Sequence, residues 1–201
     1  MKTKIPIALI YARLIIGFVI LLLSIVNTGH YNIWAVTLLT IGLLTDVFDG
    51  IIARRLNIST QRLRRMDSTI DVVFFVAVAA ATYIQCTSFF KTNWLKLTIL
   101  IASEALTYVV SFVKFRKEIA THSIGAKVWT LFLFATLVQI ILQCQSGWLF
   151  DTCFWLGIVT RVEIIAIILI LKKWTNDVPT LCHAIQLRHN KPIKRNKIFN
   201  G

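Results

Sequence analysis

The chain has 201 residues, 57% of them hydrophobic, with a mean hydropathy of +0.73 and a formal net charge of +13. So high an apolar fraction excludes a disordered polar chain, and the hydropathy excludes a soluble nucleic-acid binder as the reason for the charge. What fits is an all-α integral membrane protein with a basic aqueous face.

A bilayer core about 30 Å thick takes about 20 mostly apolar helical residues. Six runs qualify. The first is Pro6–Val26, interrupted by Arg13. Lys2 and Lys4 precede it as in a signal peptide, but Arg13 would fall in the apolar region and no A-x-A site follows, so the run is expected to stay as a span. The second is Tyr31–Ala53, with its acids in the last third. The third is Met66–Cys86 and the fourth Trp94–Val113, which carries Glu104. The fifth is Lys127–Gln145, and the sixth is Thr152–Leu171 with Arg161 and Glu163. Residues 1–175 form one membrane domain, and residues 176–201 a basic cytoplasmic tail with a short interfacial helix near Pro179. That tail is expected to rest on anionic lipid and needs no nucleic acid.

A cytoplasmic N-terminus puts every Lys and Arg at the inner face except Lys91 and Lys96, outside, and Arg161, within the membrane. This is the asymmetry of the positive-inside rule, and five or seven spans would break it. Both termini are therefore expected in the cytoplasm. Trp34, Trp94, Trp148, Trp155 and Trp174 lie near span ends, as an interfacial belt does. Cys86, Cys144 and Cys153 fall near outer span ends and read as buried free thiols, with a Cys144–Cys153 disulfide as the alternative.

Only nine Asp and Glu are present, and four lie between Asp46 and Asp71. Asp46 and Asp49 share a helix face at the inner end of the second span, with Gly50, Ala53 and Arg54 continuing it. Asp67 and Asp71 share a face at the start of the third span. A short basic loop makes the two spans an antiparallel hairpin, so the pairs can converge. Four carboxylates at the edge of hydrocarbon repel one another and need positive charge. A hard divalent cation supplies it through oxygen ligands, and Arg54 offers a fork for phosphate. The bland alternative is a set of interfacial acids paired with the nearby arginines.

The run from Asp46, Asp49, Gly50, Ala53 and Arg54, then eight residues, then Leu63, Asp67 and Asp71, closely resembles the CDP-alcohol phosphotransferase signature D-x-x-D-G-x-x-A-R-x8-G-x3-D-x3-D. Leu63, where the family has Gly, is the departure. The six-span layout and the opening Ile5-Pro6 with Arg13-Leu14 are also similar to that family. The resemblance implies transfer of a phosphatidyl group from CDP-diacylglycerol to a small polar alcohol, with release of CMP. It implies Asp46, Asp49, Asp67 and Asp71 as ligands of Mg2+ or Mn2+, two ions in all, and Asp71 also as the general base. It implies Asp46, Asp49, Gly50, Ala53 and Arg54 as the CDP site, a homodimer, and a place in the inner (cytoplasmic) membrane. A CDP-aminoalcohol:diacylglycerol phosphotransferase is the alternative within the family. Outside it, a divalent-cation channel or transporter would use the same acids.

The acceptor stays open among glycerol 3-phosphate, inositol phosphate and serine types. Asp67-Ser68 is more similar to serine-using members, whereas Ser123-Ile-Gly125-Ala-Lys127 vaguely resembles a stretch of members that use phosphorylated acceptors. Lys127 is a candidate acceptor ligand, or simply an inner-face lysine. Arg161 is either a ligand of acceptor phosphate or the partner of Glu104 or Glu163. His122 is a loop histidine that is expected to be solvated.

Overall fold

The computed structural model describes residues 4–56, 60–117, 123–175 and 178–191. Among these residues there are helices and no strands: α1 Lys4–Val26, α2 Tyr31–Arg55, α3 Gln61–Gln85, α4 Thr87–Thr92, α5 Trp94–Phe115, α6 Ile124–Gln143, α7 Trp148–Ile170 and α8 Leu181–Arg188. Six stretches are long and apolar enough to cross a membrane: Ile5–Val26, Tyr31–Ala53, Arg65–Gln85, Trp94–Phe115, Ile124–Gln143 and Trp148–Ile170. They are the six expected spans, and the chain is a multi-pass membrane protein. The short α4 was not expected, and it buries Phe89.

Local chemistry sets the helix ends. Asn27 and His30 take left-handed conformations (φ 51° and 64°) and turn the chain from α1 into α2. Thr60 caps α3, its Oγ1 accepting the Leu63 N–H at 3.2 Å. This cap starts the helix five residues before the apolar run begins. Ser123 does the same for α6 by accepting the Ala126 N–H at 3.1 Å, so that helix begins three residues ahead of Lys127. Gly147, extended, precedes α7 and brings its start forward to Trp148. In the spans, Thr37, Thr40, Thr82, Thr98, Thr130, Thr136 and Thr160 each donate to the carbonyl four residues back. No hydroxyl proton among them is left bare in hydrocarbon.

The chain divides into two compact units: Met1–Phe89 with Ile140–Gln145, and Phe90–Gln139 with Ser146–Gly201. In the first, α1 packs against both α2 and α3. Phe74 of α3 is the key of that packing and is 2% exposed. A Cβ on Gly42 of α2 would stand 2.6 Å from its Cζ, and one on Gly17 of α1 would stand 3.1 Å from its Cδ2. Two glycines thus make the slot that one ring fills. At the far end of α3, Gln85 Nε2 donates to Ser24 O at 2.8 Å. Next to it Cys86 is disulfide-bonded to Cys144, with their Cα atoms 5.0 Å apart. This corrects the expectation of free thiols at Cys86 and Cys144 and also the alternative pair, whereas Cys153 is a buried free thiol as expected. Cys182 is free and exposed.

In the second unit α5 packs on α7, and α7 on α8. Gly157 of α7 sits where a Cβ would come within 2.8 Å of both Leu100 Cδ2 and Trp129 Nε1. That indole donates to Cys153 O at 3.1 Å. Ile167, Leu171, Val178 and Ala184 form a buried apolar cluster that anchors α8. The Ile124 N–H bonds to Pro179 O at 3.0 Å, joining the start of α6 to the segment before α8.

Candidate functional site

The four aspartates come from two helices. Asp46 and Asp49 lie in the last third of α2, and Asp67 and Asp71 in the first half of α3. The α2–α3 connection is only a few residues long, so the two acidic faces meet. Carboxylate oxygens of Asp46, Asp49 and Asp67 lie within 4.8 Å of one another. Asp49 is buried, whereas the side chains of Asp46, Asp67 and Asp71 are each about one-third exposed. Such a site is closed on the protein side and open on another.

Arg13 of α1 stands at the centre of this group. Its Nη1 is 3.0 Å from Asp46 Oδ1 and 3.1 Å from Asp67 Oδ1, and it also pairs with Asp71 Oδ1. Its Nη2 pairs with Asp49 Oδ2. The side chain is 1% exposed, and its Nε is buried with no hydrogen-bond partner. From the sequence, Arg13 is expected among the inner-face charges and outside the site. The available signal was a full charge inside an apolar span, which is expensive unless the charge faces the protein interior.

The Phe74 slot fixes the register of all three helices at this level. Gly17 follows Arg13 by one turn, Gly42 precedes Asp46 by one turn, and Phe74 follows Asp71 by about one turn. Gly17 therefore lets α1 lie close to α3, and Gly42 leaves room for the Phe74 ring to reach α2, one layer below the charges.

Of the other expected residues, Ala53 is buried and Gly50 half-buried, both on α2 beyond Asp49. Arg54 follows on the same helix, and its side chain lies outside the described residues, as does His122. Leu63 sits in the first turn of α3 with its N–H capped by Thr60, and its φ is not positive. The backbone there makes no demand for glycine. Lys127 and Arg161 belong to the other unit. Lys127 is half-buried in the first turn of α6. Arg161 is buried at 6% exposure and is fully engaged. Its Nε and Nη2 donate to Glu104 Oε2 at 2.8 and 2.7 Å, and its guanidinium stacks 3.7 Å from the centre of the Trp129 ring. Of the two acids considered for it, Glu104 is the partner. Glu163 faces Gly125, where an added Cβ would meet its Oε2 at 2.9 Å.

A cluster of carboxylate oxygens alone, without sulfur or imidazole, suits a hard cation such as Mg2+ or Mn2+. Four carboxylates gathered around the one guanidinium of Arg13 form a donor set that fits a divalent cation. No curated protein and no solved structure matches the chain at a significant level. The family model described as CDP-alcohol phosphatidyltransferase matches residues 3–178, a stretch that contains all four aspartates. The chain belongs to the CDP-alcohol phosphatidyltransferase family.

Proposed function

We propose that the protein moves the phosphatidyl group of CDP-diacylglycerol to a small polar alcohol of the glycerol 3-phosphate, inositol phosphate or serine type. The observation that carries this reading is the convergence of Asp46, Asp49 and Asp67 within 4.8 Å, with Asp71 joined to them through Arg13. The acceptor oxygen forms a bond to the β-phosphorus, the bond from that phosphorus to the bridging oxygen breaks, and CMP departs. Asp71 takes the proton of the acceptor hydroxyl. Gly50 and Ala53, with little or no side chain, leave room for the cytidine diphosphate along α2, and Arg54 holds a phosphate oxygen. Asp46, Asp49, Asp67 and Asp71 would hold two ions of Mg2+ or Mn2+, whose chemistry is to neutralise the diphosphate and the leaving phosphate.

Lys127 and Arg161 are proposed to select a phosphorylated acceptor, in Arg161's case by exchanging Glu104 for the phosphate. The charges of α1–α3 gather at one end of these helices, and the rest of α2 and α3 within the membrane carries none. That one-sidedness supports a surface enzyme over a cation pathway. The proposed setting is the inner membrane with both termini cytoplasmic. The proposed domain plan has residues 176–201 as a tail on anionic headgroups, and the proposed assembly is a homodimer.

The decisive experiment is release of radiolabelled CMP from CDP-diacylglycerol by the purified protein, with Mg2+ or Mn2+, against glycerol 3-phosphate, inositol phosphate, inositol and serine in turn. One acceptor is expected to support turnover. Asp71→Asn should lower it by about 100-fold or more, the scale of a lost general base. Unchanged turnover in that variant removes Asp71 from the role.

A further inference from the structure

Arg13 is placed as though it were the cation of the site, yet its donors do not match the acceptors around it. Nη1 carries two hydrogens but faces three carboxylates, those of Asp46, Asp67 and Asp71. Nε, meanwhile, is a buried donor with no partner. So the guanidinium is oversubscribed on one side and idle on another. Burying a donor without a partner is costly, so this arrangement is held by charge rather than by hydrogen-bond geometry. A divalent ion gathers about six oxygens without the limit of two hydrogens per nitrogen. It also needs the same oxygens that Arg13 now touches.

We propose that Arg13 is a built-in competitor for the metal: it holds the four aspartates together, and a divalent cation binds only by taking carboxylate oxygens from it. Arg13 thereby weakens metal affinity while making the fold independent of metal. The proposal rests on the metal-assisted reading above. It makes Arg13 a positioning residue whose effect appears in metal binding before any substrate is present.

The test is direct Mn2+ titration of the full-length protein in detergent, without nucleotide, following loss of the free-Mn2+ electron paramagnetic resonance signal. Arg13→Gln is expected to bind Mn2+ at least about tenfold more tightly than wild type, because removing a buried positive charge beside the ligands removes both repulsion and competition. Arg13→Lys keeps the charge but loses the fork, and should fall between the two. Thermal unfolding gives a second readout. Without metal, Arg13→Gln should unfold at lower temperature than wild type, and Mn2+ should raise its midpoint by more than it raises the wild-type midpoint. A variant that purifies folded only with Mn2+ supports the proposal in the same way.

Equal or weaker Mn2+ affinity in Arg13→Gln overturns the proposal and makes Arg13 an organiser of the ligands. So does an Arg13→Gln chain that stays unfolded even with Mn2+ while Arg13→Lys binds no more tightly than wild type. These outcomes leave the transfer reaction standing if wild type still binds Mn2+ through Asp46 and Asp49. Absence of Mn2+ binding in wild type and variants alike would instead remove the metal reading itself.

Discussion

Asp49 is the most enclosed of the four carboxylates, and the arginine that meets it is more enclosed still. Removing Asp49 should therefore be felt in both binding and stability. Asp49→Asn is expected to weaken Mn2+ binding by at least about tenfold, since one of the few available anionic ligands is lost. A titration that gives the wild-type constant would exclude Asp49 from the ligand set. Leu63 raises the opposite question, because the family signature has glycine there. With Leu63 in an ordinary helical turn capped by Thr60, Leu63→Gly should lower stability by about 0.5–1 kcal/mol and leave turnover no higher. A variant that turns over faster would show that the side chain obstructs the site. At this scale the sequence was informative about the acids, because spacings of three and four residues place them on single helix faces. It was less informative about Arg13. Its role depends on α1 packing against a hairpin whose acids begin more than thirty residues later, and a positive charge near a membrane face has an ordinary explanation.

The helices carry a second prediction, at Phe74. Its ring fills the slot made by Gly17 and Gly42 one turn from the charges. Gly42→Ala places a methyl group against a buried ring that has no free direction, and overpacking of this kind costs about 1–3 kcal/mol. It should also push α2 from α3 and weaken Mn2+ binding at Asp46 and Asp67. Phe74→Leu in the same chain should restore part of both losses, because the two changes share one contact. Strict additivity of the midpoints in thermal unfolding would show that the slot does not couple the helices. Hydropathy marked the six spans well, since length and apolar content are properties of each run alone. It missed α4 and the early starts of α3, α6 and α7. Those depend on caps at Thr60, Ser123 and Gly147, which hydropathy does not see. The glycine slot was equally hidden, because nothing in the sequence says which ring a glycine accommodates.

For the molecule as a whole, charge asymmetry gave the expected sidedness, and the Cys86–Cys144 bond supplies an independent chemical marker of it. The sequence could not identify this pair, because the partners are 58 residues apart and meet only through the packing of the first unit. Disulfides persist on the oxidising side of a membrane and are reduced on the cytosolic side. Cys86 caps the C-terminal end of α3, and Asp67 lies near its start, so about 28 Å of helix separates them at about 1.5 Å per residue. That distance is close to the thickness of the hydrocarbon core. With the termini on the cytoplasmic side as proposed, the two ends of this one helix meet opposite redox conditions, the bonded end outside and the acidic end facing the nucleotide pool. Denatured but unreduced protein from intact cells should accept a maleimide mass tag on two of its four cysteines, and on all four after reduction. Four tags before reduction would place the Cys86 end of α3 in the reducing compartment and turn the molecule over.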